Sequence, residues 1–177
     1  MNNILKIFAI LSLPLLLNAC GGGGGGGGAG GAASYTVPSC TDSGTRDTEY
    51  LFMGQYSGEN GLTRVCASAA YARDATGNGI KVAVLDTGIT VNGSNAVFHT
   101  ELDANVATFT SGSDLIGTDN VPNDEEGHGS HVAGIIAGEN NGSGYHGVAY
   151  DATLYIYKVL NDSGSSVGNS IASGITK

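Results

Sequence analysis

The sequence predicts an α/β fold with a parallel sheet flanked by helices. Two apolar runs of strand length and one small-residue helix between them carry that reading. Ile80-Lys81-Val82-Ala83-Val84-Leu85 is β-branched and almost continuously apolar, the pattern of a strand buried on both faces. Ala152 to Leu160 is the second such run. Between them, Val132 to Gly138 has no polar face, which marks a buried helix whose glycines and alanines allow close packing. Asn169 to Lys177 starts another helix. The order strand, helix, strand, helix implies parallel strands joined by right-handed crossovers.

Taken from the start, Met1 to Cys20 reads as an export signal. Lys6 gives a weak positive start, Ile7 to Leu17 is apolar, and small or polar residues close the segment. It is shorter than the roughly 20 apolar residues that span a bilayer. Leu17-Asn18-Ala19-Cys20 resembles a bacterial lipobox, in which the cysteine carries lipid and becomes the new N-terminus. Gly21 to Gly31, broken only by Ala29, is a flexible tether. A phosphate-binding loop is excluded there, because no strand precedes the run and no helix with a lysine follows.

Ser34 to Leu62 is polar and weakly patterned. With Cys20 assigned to lipid, Cys40 and Cys66 remain, and two cysteines in an exported protein most simply pair. Two free thiols are the alternative. Leu62 to Asp74 is rich in alanine and reads as one short helix, ended by Thr76-Gly77-Asn78-Gly79.

The first strand ends in Asp86-Thr87-Gly88. A carboxylate at the C-terminal end of a buried parallel strand lies where α/β folds place their sites. Asp-Thr-Gly is also good turn chemistry, so both readings stand. Thr90 to Gly127 is a long, irregular, acidic connection, with Val106 to Thr110 as a short strand. Asp124 to Glu126 precede a helix and read as complements to its dipole.

Glu126-Gly127-His128-Gly129-Ser130-His131-Val132-Ala133-Gly134 is the centre of the chain. Two histidines sit where a polar loop turns into a buried helix. An imidazole held there can face a cleft, and it titrates near neutrality, which suits a general base. Such a base has a carboxylate to orient it and a nucleophile to serve.

Charge narrows the partners. The 177 residues carry sixteen acidic against seven basic side chains, a net charge of −9, with no basic patch. Nucleic acid is not an expected partner. Hydrophobic content of 41% is adequate for a core, although the 30 glycines reduce the ordered part.

Val82 through Gly88, then His128 through Gly134, then Gly147-Val148-Ala149 leading into Leu154 through Leu160, together resemble the subtilisin-like serine proteases. The resemblance runs from about Tyr71 to the last residue. It implies an incomplete subtilisin-like three-layer fold and a serine endopeptidase acting on polypeptides. Asp86 is then the orienting aspartate, His128 the base and His131 a packed, structural histidine. Gly164-Ser165-Ser166 would border the substrate cleft as an edge that pairs with extended peptide. No cofactor is required. Calcium is a candidate, because Glu101 and Asn141 match a ligand pattern near the loop after the histidine helix, and their oxygens suit a hard cation. Solvated loop residues are the alternative there. Ser130 stands where the family often has threonine, and Tyr150 where proline is usual.

No Gly-Thr-Ser-Met-Ala-like nucleophile motif occurs, so the serine is expected beyond this chain, which as given should be inactive. The expected organisation is a lipoprotein signal peptide over 1–19, a tether over 20–34, an N-terminal extension over 35–70 and a partial protease domain over 71–177. Lipobox, tether and protease domain together look like an autotransporter passenger, anchored at the outer membrane or cell surface.

Rival readings are weaker. Aspartic proteases also use Asp-Thr-Gly, but need two such triplets or a dimer and have no use for His128. Zinc proteases use His-Glu-x-x-His, whereas no glutamate lies between His128 and His131. A lipid-anchored adhesion protein on a degenerate protease fold would not need both Asp86 and His128.

Overall fold

The computed structural model describes residues 47, 49, 61–117 and 119–177. The expected signal peptide, the lipidation candidate Cys20, the tether and Cys40 lie outside them. The described elements run α1 (Gly61–Arg64), α2 (Ala67–Tyr71), β1 (Lys81–Asp86), α3 (His128–Ala137), β2 (Thr153–Lys158) and α4 (Ser170–Ile175). None of these helices is long and apolar enough to cross a membrane.

β1 and β2 pair in parallel, from Lys81 opposite Thr153 to Asp86 opposite Lys158. Val82, Val84, Leu85, Leu154 and Ile156 from the two strands are buried. All of these but Leu85 form one core with Ile89, Leu102, Ala133, Ala137 and Ala152. The alanines let α3 lie close to β1, which brings the start of the helix to the end of the strand.

The other edge of β2 is also occupied. The expected Val106–Thr110 strand is absent as a continuous element. Instead, Val106 bridges Leu154 and Asp114 bridges Lys158, both in parallel. At one end Ala107 N–H donates to Leu154 O at 2.9 Å, and at the other Leu115 N–H donates to Lys158 O at 2.9 Å. Between the two ends the backbone departs from the ladder. A positive φ at Gly112 and the turn bond from Ser113 N–H to Thr110 O accompany the departure.

The single expected helix over Leu62–Asp74 is two. Cys66 sits at φ 55°, in the left-handed region, and breaks the run between α1 and α2. Cys66 is also disulfide-bonded. The two helices are held through Tyr71. Its hydroxyl donates to Val148 O at 3.0 Å, and its ring meets Tyr150 at 5.1 Å and His146 at 5.7 Å. Tyr150 thus supplies an aromatic partner for the N-terminal helices.

α3 is less enclosed than its apolar sequence implies. Ile135 is 51% exposed and Val148, which hydrogen-bonds the Ile135 carbonyl, is 42% exposed.

Candidate active site

Asp86 ends β1, and its carboxylate is buried against the first residue of α3. His128 Nδ1 lies 2.7 Å from Asp86 Oδ1. The same oxygen accepts the Thr87 N–H at 2.7 Å, which fixes the carboxylate's rotamer. Asp86 is 3% exposed, whereas the imidazole is 38% exposed. The pair therefore has a buried acid end and an accessible histidine end.

The start of α3 needs acceptors for N–H groups that have no partner inside the helix. Each of the first three finds a side chain. His128 N–H donates to Glu126 Oε2 at 2.7 Å, Gly129 N–H to Thr87 Oγ1 at 2.9 Å, and Ser130 N–H to Asp124 Oδ2 at 2.9 Å. Gly127, at φ 99°, makes the turn that aims these groups.

Asp124 is the residue whose part the sequence reading missed. It is 5% exposed and far more than a charge placed before a helix. Its Oδ1 accepts from Thr87 Oγ1 and Gly127 N–H, both at 2.8 Å, and its Oδ2 accepts from Ser130 Oγ at 2.6 Å as well. Burial pushes this carboxyl up, but the hydrogen bonds from Ser130, Gly127 and Thr87 outweigh it and hold the pKa below 3.8. The signal available in the sequence was the spacing to Ser130 and to Thr87. Neither spacing can be read without knowing that strand end and helix start meet.

Ser130 keeps the hydroxyl of the more usual threonine, and that hydroxyl also accepts Thr90 N–H at 3.0 Å. Backbones approach so closely that side chains are excluded. A Cβ on Gly129 would fall 2.3 Å from Gly88 O, and one on Gly88 would fall 2.2 Å from Pro122 O. His131, by contrast, is exposed and not packed. It lines a hollow with Thr90, His99, Glu101 and Tyr145.

His128 has its pKa raised from 6.5. The hydrogen bond with Asp86 is the main cause; burial opposes it, and the charges of Asp86, Glu126 and Asp124 add to it.

The other expected site residues fall in two places. Gly164, Ser165 and Ser166 form an exposed turn, closed by an antiparallel bridge between Leu160 and Ser166. The turn begins beside the pair, because Asp86 O accepts both Val159 N–H and Leu160 N–H, at 2.9 and 3.1 Å. Glu101 and Asn141 lie apart from it, on neighbouring segments: Asn141 Nδ2 donates to Thr100 O at 3.4 Å. Glu49, which the sequence did not suggest, joins this group by accepting the Gly142 N–H. Glu49 Oε2 and Glu101 Oε2 are both buried with no hydrogen-bond partner among the described residues. Burial, then Glu49, then Glu139 push the Glu101 carboxyl up from 4.5.

Asp124→Asn should destabilise the folded protein by about 2–4 kcal/mol at pH 7, since an amide presents donors to donors in a buried site. The native pKa is depressed, so the carboxylate's contribution is complete above about 3.8 and fades as pH falls through the depressed value. Denaturant melts of both forms at pH 7 and near pH 3 should show the difference narrowing in acid. A constant difference would contradict this account.

Residues 77–177 match the subtilase family. An alkaline protease of Alkalihalobacillus alcalophilus is 44% identical over 129 residues, covering 73% of this chain and 30% of that protein. Subtilisin Savinase of Lederbergia lenta is 45% identical over 115 residues, covering 65% of this chain and 38% of that protein. The chain therefore spans only about a third of the length of these relatives. Among solved structures, the Aeromonas sobria serine protease in complex with its chaperone superposes with a TM-score of 0.56 at 22% identity. The match covers 73% of this chain and 22% of that one, and speaks for the fold. The parallel strands with flanking helices are part of the α/β subtilisin fold, and with a match over more than half of its residues the chain belongs to the subtilase family.

Proposed function

We propose that this chain carries the acid and base of a serine endopeptidase that cleaves polypeptides. The observation that supports it best is the 2.7 Å contact between His128 Nδ1 and Asp86 Oδ1. With the Nδ1 proton engaged by the buried aspartate, Nε2 is the basic nitrogen. Asp86 orients the ring and stabilises the imidazolium that forms when His128 takes the proton of a serine hydroxyl. That serine, and the donors for the oxyanion, belong to segments of the intact protein outside these 177 residues. The Gly164–Ser166 turn is the edge along which a substrate strand would lie.

Asp86→Asn and His128→Ala in the intact gene product should each lower kcat about 10⁴-fold with the fold retained. Turnover of a peptide substrate, together with a serine-directed covalent inhibitor, checks this. Full activity in His128→Ala would defeat the proposal. The neutral imidazole is the active form, and its pKa is raised above 6.5. The acid limb of kcat/KM should therefore have its midpoint above that value. Glu126→Gln removes one of the charges that raise it and should move the midpoint down.

We also propose calcium as a stabilising ion held by Glu101, Asn141 and Glu49. Two buried carboxylate oxygens without hydrogen-bond partners among the described residues suit a hard cation, which would supply the positive charge between them. A carboxyl with a raised pKa costs stability when ionised, and the cost disappears as pH falls below its ordinary range. Calcium should accordingly raise Tm at pH 7 and do so less in acid. Glu101→Gln should raise Tm in chelator and abolish most of the calcium response. Identical native melting curves in calcium and in chelator would rule the ion out.

Export, a lipid on Cys20 and a Cys40–Cys66 disulfide complete the proposal, with the glycine run as a tether and a cell-surface, autotransporter-type setting. Export, the lipid and the choice of Cys40 as partner rest on the sequence alone, whereas Cys66 is itself disulfide-bonded. Fatty-acid labelling of cells should mark the native protein and not Cys20→Ser, and non-reducing peptide maps should recover Cys40 joined to Cys66. Equal labelling, or alkylated Cys40, would remove the respective assignment.

A further inference from the structure

Lys158 carries a buried charge that the chemistry above does not use. Its side chain is 7% exposed, and in the sheet it stands opposite Asp86. A buried ammonium requires acceptors to stay charged. Lys158 Nζ donates to Thr87 O at 2.7 Å and to Asp162 Oδ1 at 2.6 Å. Thr87 is the residue after Asp86. Asp162 lies in the turn that leads to Gly164, Ser165 and Ser166. One side chain therefore touches both the acid's own turn and the edge on which a peptide would lie.

We propose that Lys158 is a positioning residue that fixes the cleft-edge turn relative to the Asp86–His128 pair; the proposal rests on the peptidase reading above. The two ends of the tie differ. Thr87 O is an interior acceptor, and Thr87 is already held through its N–H by Asp86 and through its hydroxyl by Asp124. Asp162 is 51% exposed and reaches in from the turn. Without Asp162, the turn is no longer braced by the ion pair, while the interior bond remains. Without Lys158, the turn loses its side-chain tie and a buried carbonyl beside the acid also loses its donor. The first loss should act on peptide binding and the second on turnover too.

The test is steady-state kinetics of the intact gene product on an extended peptide amide and on a short activated ester. Asp162→Asn should raise KM for the extended peptide about five-fold, while kcat changes less than about two-fold. Lys158→Met should lower kcat about ten-fold or more on both substrates, because a small misplacement of the acid–base pair is costly. In the Lys158→Met background, Asp162→Asn should add nothing to KM, since the tie is already gone. If Lys158→Met proves unfolded by thermal melting, the KM-against-kcat split in Asp162→Asn decides alone. An unchanged KM in Asp162→Asn, or equal losses in KM and kcat, would overturn the proposal while leaving an active peptidase. Absence of any inhibitor-sensitive peptidase activity in the native protein would overturn the underlying reading together with this one.

Discussion

The site depends on one buried carboxylate, and it is not the one that touches the histidine. Asp124 binds the hydroxyl after the strand, three N–H groups around the start of α3 and the hydroxyl inside its first turn. Without that junction, strand end and helix start would be two loops with ordinary freedom, and Asp86 and His128 would meet only part of the time. Ionised carboxylates make the stronger hydrogen bonds, and these are shielded from water. Rigidity here is bought with a buried charge, which the surrounding donors keep ionised.

A second consequence is electrostatic. His128 stands among Asp86, Glu126 and Asp124, and the charge of each favours its protonated form. The negative surroundings favour imidazolium, which is the form produced once a proton has been taken. The excess of acidic residues, which at the level of composition argued only against nucleic acid, here has a local purpose. Lys158 is the counterweight nearby, and its ammonium is directed at a carbonyl and at Asp162.

Much of this was legible in the sequence because it follows from short-range pattern. An apolar β-branched run ending in aspartate, and a histidine before a small-residue run, mark a strand end and a helix start without any knowledge of the rest. What was not legible depends on contacts between distant segments. Asp124 looks like a dipole complement until Thr87 is placed beside it. Val106–Thr110 has the residues of a strand, but within it only Val106 bridges β2, and the next bridge comes from Asp114. The break at Cys66 accompanies a covalent bond that alanine content cannot reveal. His131 shares the small-residue setting of its neighbours, yet it is exposed. Glu49 belongs with Glu101 through space, across a long stretch of unpatterned sequence.

The arrangement around β2 also sets how the sheet can grow. Among the described residues, β2 has β1 on one side and the two bridges from Val106 and Asp114 on the other. It has no edge left to offer. A further parallel strand that joins along the outer edge of β1 would have its C-terminal end emerge next to Asp86. Side chains borne on such a strand end would be delivered to the acid–base pair by backbone pairing alone. The sheet thus works as a ruler, with its zero mark at Asp86.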